Sequence, residues 1–309
     1  MHLLCADRPG TLPVIPQPLV LPAAPAWCRF VGEDGGPRLC AVDPAVGRFF
    51  DLGPLDVGAL LAAGGLRAAD LAARIAKAPT MPAPARLLPP VPRGGKILCL
   101  AKNYVAHAKE FGAEAPAEPI FFAKLPDTLT AHGDDVVIPH WLDTRVDHEA
   151  ELALVVGFHD PAGVGAKRFD AAAAPSLVAG YTLLNDVTAR KLQGQDRDQK
   201  HPWLRSKSFD TSCPVGPFVV PADALDAGDL RITMRVNGVV RQDARTSAMV
   251  FGIVPALLAM ARVTTLRPGD LIAMGTPEGV GPVVPGDVME VEIEKLGVLR
   301  NRVTKEPPR

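Results

Sequence analysis

Residues 147–157 read Asp-His-Glu-Ala-Glu-Leu-Ala-Leu-Val-Val-Gly, and they decide how the chain is arranged around its chemistry. Side chains alternate faces along a strand, so Asp147, Glu149 and Glu151 share one side while Ala150, Leu152 and Leu154 take the other. From Leu152 onward the run is continuously apolar, the texture of a strand buried on both faces. Like charges on one face repel, and apolar surroundings make the repulsion worse. Two readings follow. The acids are a solvated strand end, or they share a divalent cation of the kind that prefers carboxylate oxygen, namely Mg²⁺, Mn²⁺ or Ca²⁺.

Working outward, KILCLA (96–101) reads as a strand and NYVAHAKEFG (103–112) as a helix closed by Gly112. GYTLLND (180–186) is a further strand, with a turn to helix expected near Thr188. From Pro214 on, short β runs alternate with Gly, Pro and Asp turns, interrupted by one helix within 247–263. Before residue 93 the pattern differs. Short strands over 27–51 join through a Gly35-Gly36 hairpin turn, and an Ala/Leu-rich stretch gives two helical pieces split at Gly64-Gly65. TMPAPARLLPPVPRGG (80–95) is too rich in proline for a helix or a central strand and reads as a linker. The expected fold is therefore α+β and β-rich, without the regular βαβ spacing of a dinucleotide fold. A small α/β N-terminal domain over 1–93 precedes a larger domain over 94–309.

Composition narrows the function classes. The chain has 309 residues, 48% of them apolar, and 33 basic residues face 34 acidic ones for a net charge of −1. That balance, with only 5% aromatics, gives nucleic-acid binding no support. Cys5, Cys28, Cys40, Cys99 and Cys213 show no Cys-x-x-Cys pair and no zinc spacing, as expected of reduced thiols in a cytoplasmic protein. Prolines punctuate residues 1–22, and no apolar run is long enough to span a bilayer, so no export signal and no membrane partner are expected.

Three further places carry candidate chemistry. Asp186 ends an apolar strand, as a ligand or catalytic group or as a helix N-cap. His107 and Glu110, three apart in a helical stretch, share a face, as a general base with its orienting carboxylate or as a surface pair. Lys207 precedes the apolar run CPVGPFVV (213–220), as a site cation or as a solvated flank.

In this order, the stretches KILCLAKNYVAHAKEFG, VDHEAELALVVG, GYTLLNDVTARKLQ, PWLRSKSFDTSCPVGPFVV, VNGVVRQ, LRPGDLIAMGTPEGVG and PGDVMEVEIEKLG resemble the fumarylacetoacetate hydrolase family across about residues 94–285. The resemblance implies a mixed β-roll catalytic domain, a homodimer, and a small-molecule keto-acid substrate. It places metal ligands on Glu149, Glu151 and Asp186, leaving Asp147 as a neighbour, with Mg²⁺ or Mn²⁺ expected and Ca²⁺ as a further candidate. It implies a catalytic dyad of His107 and Glu110, a catalytic Lys207, and substrate contacts from Gln193 and Thr276. Ala106 and Lys191 depart from the family in standing where acids are common, and Lys102 stands where Arg or a small apolar residue is commoner. The polar segment 191–202 is expected by analogy to be a flexible lid.

The implied activity is metal-dependent C–C hydrolysis of acylpyruvate-type 2,4-dioxo acids, with water activated by the dyad. The alternatives on the same residues are isomerisation of a 2-hydroxyhepta-2,4-diene-1,7-dioate and decarboxylation of oxaloacetate. A binding protein that keeps the fold without catalysis is the reading from another class.

Overall fold

The computed structural model describes residues 19–110, 112, 114–157 and 166–308. Cys5 and the proline-punctuated start of the chain lie outside the described residues. At the centre, Ala150–Val156 is buried at every position. It pairs antiparallel with Val178–Asn185 on one side and with Leu271–Ala273 on the other, which is why its sequence is apolar on both faces. Leu152, Leu154 and Val156 enter one core, and Ala153 and Val155 enter a second core on the opposite face.

Among the described residues the sheet built on this strand has twelve strands. In one direction it continues through Leu271–Ala273 to Ile97–Ala101, the pairing there being parallel, and ends at Ile120–Lys124. In the other it passes through Val178–Asn185 and Cys213–Pro221 to Ala26–Val31, Pro37–Asp43 and Arg48–Gly53. Trp27 pairs with Val219, so hydrogen bonding runs across the boundary placed at residue 93. The close approach of two central strands depends on Gly180, where an added Cβ would lie 2.5 Å from the Val220 carbonyl oxygen.

One face of the large sheet is covered by Val57–Ala62 and Ala68–Ile75, whose Val57, Leu61 and Leu71 pack with Trp27, Ala153 and Val155. The other face meets a five-stranded sheet ordered Val239–Arg245, Arg231–Val236, Val288–Ile293, Gly297–Lys305 and Val136–Ile138, together with the helix Ile253–Val263. A three-stranded sheet of Thr188–Ala189, Val146–His148 and Gly281–Val283 closes one end.

Several expectations meet local differences. The helix expected over 103–112 spans Val105–Glu110, because Asn103 is tied by its amide to the Phe251 and Met274 carbonyls and Tyr104 bridges to Met249. Within the proline-rich stretch, Thr80–Met81 and Leu87–Leu88 form two-residue strands beside Arg48–Gly53 and Ala26–Val31. Thr188 lies in a strand, and the helix expected near it starts at Arg190. Among the described residues the cysteines Cys28, Cys40, Cys99 and Cys213 are free and buried, and no helix is long and apolar enough to cross a membrane.

His132 gives this fold a pH dependence of its own. Its Nδ1 accepts the Arg300 backbone N–H at 3.1 Å, and burial, helped by the Arg300 charge, pushes its pKa down to about 4. The unfolded chain takes up this proton near pH 6.5, so stability is whole above that value and falls between about 6.5 and 4, by roughly 3 kcal/mol. His132→Asn keeps an acceptor and removes the titration. Denaturant midpoints measured from pH 7 to 4 should fall less steeply in the variant.

Candidate active site

The acidic stretch does not run as one strand. Val146–His148 belongs to the small end sheet and Ala150–Val156 to the large one, so Glu149 sits at the break between them. Its N–H donates to Asn185 Oδ1 at 2.9 Å and its carbonyl accepts the Asp186 N–H at 2.9 Å, which brings the end of Val178–Asn185 against the break. Glu149, Glu151 and Asp186 thereby converge, with a carboxylate oxygen of each within 4.8 Å of the others, and all three are buried. Asp147 leaves this group. Its two oxygens are held by Arg145 (2.6 and 3.0 Å) and by Arg190 Nε (2.8 Å), so it supports Arg190 from outside. Asp186 caps no helix, since Thr188–Ala189 is a strand.

Cations surround the cluster. Lys207 Nζ donates to Glu149 Oε2 at 2.8 Å and to Asp186 Oδ2 at 2.5 Å, with the Phe122 ring centroid 4.9 Å away. Lys124 Nζ donates to Asp186 Oδ1 at 2.8 Å, and Arg190 Nη2 to Glu149 Oε1. Burial opposes the charge on Glu149, yet Lys207 and Arg190 hold its carboxyl well below the usual range. For Lys207 burial likewise opposes ionisation, and Asp186 and Glu149 raise its pKa above the ordinary lysine value. Among the described residues no such cation is bonded to Glu151, whose Oε2 accepts the Gly275 N–H at 2.8 Å. Burial and the neighbouring Asp186 and Glu149 charges push its carboxyl well above the usual range.

This donor set fits a divalent cation. The three side chains are hard oxygen donors, and the acid whose charge is least favoured is the one such a cation would relieve.

His107 Nδ1 faces Glu110 Oε2 at 3.3 Å, and Glu110 Oε1 accepts the Gly279 N–H at 3.4 Å. His107 is buried, which lowers its pKa and keeps it neutral near pH 7, while the Glu149 carboxylate acts on it in the opposite direction. The dyad therefore lies within electrostatic reach of Glu149 in the acid cluster. Gln193 Oε1 accepts from Arg190 Nη1 at 2.6 Å. Thr276, next to Gly275, accepts from Gln242 Nε2 at 2.8 Å.

The helix Arg190–Asp198 runs into the segment expected as a flexible lid and takes up its first eight residues. Arg190, Gln193 and Asp196 recur at a spacing of three and so share a face. Buried Asp196 binds Arg205 Nε at 2.7 Å, tying this helix to Leu204–Lys207, which carries Lys207. These anchors hold as a helix a stretch whose composition reads as loop.

Lys124, Arg190 and Gln242 were not singled out from sequence. Lys124 had a signal, as the charge that closes the strand IFFAK on the face of Phe122. Arg190 stood in the quoted Thr-Ala-Arg with no partner assigned, and nothing local marks Gln242 as buried.

Glu151→Gln tests the cation reading without activity. It keeps the shape and an acceptor for Gly275 and removes the least favoured charge. The metal-free variant should melt at or above the wild-type temperature. Saturating Mn²⁺ should stabilise the wild type, by about 2.7 kcal/mol at a hundred times Kd, and should leave the variant almost unmoved.

Residues 96–304 match the family model described as fumarylacetoacetate (FAA) hydrolase C-terminal. The mitochondrial oxaloacetate tautomerase FAHD2A of Homo sapiens is 40% identical over 224 residues, spanning 70% of this chain and 68% of that protein. The 5-carboxymethyl-2-hydroxymuconate delta-isomerase of Mycobacterium smegmatis superposes with a TM-score of 0.73 at 32% identity, covering 92% of this chain and 100% of that one. The fumarylpyruvate hydrolase of Pseudomonas aeruginosa, solved with Mn²⁺ and pyruvate, superposes with a TM-score of 0.63 at 32% identity, over 72% of this chain and 93% of that one. With the matched region spanning both the acid cluster and the His107–Glu110 pair, the chain belongs to the fumarylacetoacetate hydrolase family of enzymes.

Proposed function

We propose that the protein is a divalent-metal-dependent hydrolase of acylpyruvate-type 2,4-dioxo acids. The observation that carries this reading is the buried His107, oriented by Glu110, beside the three converging carboxylates. Held by Glu149, Glu151 and Asp186, Mg²⁺ or Mn²⁺ supplies Lewis acidity toward the 2-oxo-acid end of the substrate. His107 takes a proton from water at Nε2, while Glu110 faces Nδ1 and offsets the charge of the imidazolium. The hydroxide adds to the distal carbonyl carbon, the C–C bond breaks with its electron pair on the pyruvate side, and the proton returns from His107 to the methylene carbon of the pyruvate enolate. Lys207 offsets the negative charge that develops on the pyruvate fragment. Gln193 and Thr276 orient the substrate. The products are pyruvate and a carboxylic acid.

A second reading, keto–enol or double-bond proton transfer on oxaloacetate or a 2-hydroxydiene-dioate, asks His107 only to carry a proton between two substrate atoms. The 40% identity to an oxaloacetate tautomerase and the fold shared with a muconate isomerase favour it.

The test is turnover of acetylpyruvate, fumarylpyruvate, oxaloacetate and 2-hydroxyhepta-2,4-diene-1,7-dioate with Mg²⁺ or Mn²⁺, with and without EDTA. Pyruvate released from an acylpyruvate, abolished by EDTA and reduced about 10²–10⁴-fold in His107→Ala, supports hydrolysis. Absorbance change on the diene alone, or on oxaloacetate without pyruvate formed, moves the assignment to proton transfer, and pyruvate formed from oxaloacetate alone moves it to decarboxylation. Turnover that ignores EDTA overturns both.

A further inference from the structure

We propose that Gln242 sets the direction of the hydrogen bond at Thr276, so that the Thr276 hydroxyl is a donor to an acceptor oxygen of the bound 2-oxo acid. This deepens the proposed function and rests on it, since it takes the substrate to lie against Glu151 and Thr276.

The inference follows from which groups can donate and which can accept. Gln242 lies on Val239–Arg245, a strand whose other residues are exposed or half-buried. A register shift opposite Met234 and Arg235 turns it inward, to 1% exposure. One corner of its amide faces the Ala150 N–H at 3.0 Å, a group that only donates, so that corner is the oxygen. The other corner faces the Pro277 carbonyl at 2.8 Å, a group that only accepts, so that corner is the nitrogen. Both ends give the same orientation, and His148 Nδ1, 3.2 Å from the amide oxygen, joins as a second donor there.

The nitrogen also meets Thr276 Oγ1, at 2.8 Å. Thr276 therefore accepts from Gln242, and its own proton remains to be given. Among the described residues no acceptor is bonded to it, although Thr276 is only 3% exposed. The turn that carries it is held in place on both sides. Gly275 N–H donates to Glu151, and Gly279 lies so close to the neighbouring strand that an added Cβ would be 2.2 Å from the Arg241 carbonyl oxygen. A buried hydroxyl with a proton left to give, one residue from the backbone that binds Glu151, suits a carboxylate or keto oxygen, which only accepts.

Oxalate, a planar anion with acceptor oxygens only, is the probe. It is titrated calorimetrically into the Mn²⁺-loaded wild type and its variants, after Mn²⁺ affinity alone has been measured. In Gln242→Glu a carboxylate takes the Thr276 proton, and in Thr276→Val the proton is absent. Each should weaken oxalate binding roughly 10- to 100-fold, the value of a hydrogen bond to a charged group. Mn²⁺ affinity should be unchanged. Thr276→Ser should bind oxalate close to the wild-type level, and adding Gln242→Glu to Thr276→Val should cost nothing more.

Wild-type oxalate affinity in Thr276→Val, or full additivity of the two losses, overturns the inference while leaving the proposed function standing. Wild-type affinity in Thr276→Val overturns the inference even if Gln242→Glu fails to fold. A wild type that binds Mn²⁺ but no oxalate removes the proposed function, and the inference with it.

Discussion

The mutual repulsion of Glu149, Glu151 and Asp186 is the constraint to which the rest of the structure answers. At the 4.8 Å that bounds their separation, each pair of full charges would cost roughly 3 kcal/mol even at an effective dielectric near 20. Three such pairs approach the whole stability of an ordinary domain, about 5–15 kcal/mol. Burial removes the water that would soften the cost. Lys207, Lys124 and Arg190 meet the demand on Glu149 and Asp186, and among the described residues Glu151 is left with one backbone N–H. A site organised this way is poised for one more positive charge on the Glu151 side.

The sheets exist in a form that makes this convergence possible. The break at Glu149 lets the chain leave a three-stranded sheet and enter a twelve-stranded one, so one acid at the corner faces the cations that come from the helix side. Asp147, two residues earlier, falls on the outer sheet and is spent on Arg145 and Arg190. Arg190 then serves both layers, reaching Asp147 with Nε and Glu149 with Nη2. The helix it begins returns through Asp196 and Arg205 to the helix of Lys207, so the cations are braced by the same elements that present them.

Much of the site was legible before any fold was known. Period-two alternation in 147–156 put Asp147, Glu149 and Glu151 on one side, of which the structure keeps Glu149 and Glu151 together, and the end of the apolar strand before Asp186 marked it. The i, i+3 spacing paired His107 with Glu110, and the ordered stretches joined these acids to that pair through the resemblance to one family. The unassigned residues share a trait. Lys124, Arg190 and Gln242 act through partners far away in sequence, Lys124 on Asp186 and Gln242 on Ala150 and Thr276, and no local period records such pairings. The 190–198 helix was obscured for the same reason, because its Arg190 and Asp196 are satisfied by distant Asp147, Glu149 and Arg205.

The sequence by itself determined which strands are buried on both faces and where the Gly and Pro turns interrupt them, because these depend on side-chain alternation and hydrophobicity over a few residues. Only the tertiary structure decided that Asp147 stands apart from Glu149, that Lys124 joins Lys207, and that Gln242 faces Thr276. Those choices rest on a chain break between two sheets and on a register shift between two strands, and both are set by packing between segments that the chain separates by tens of residues.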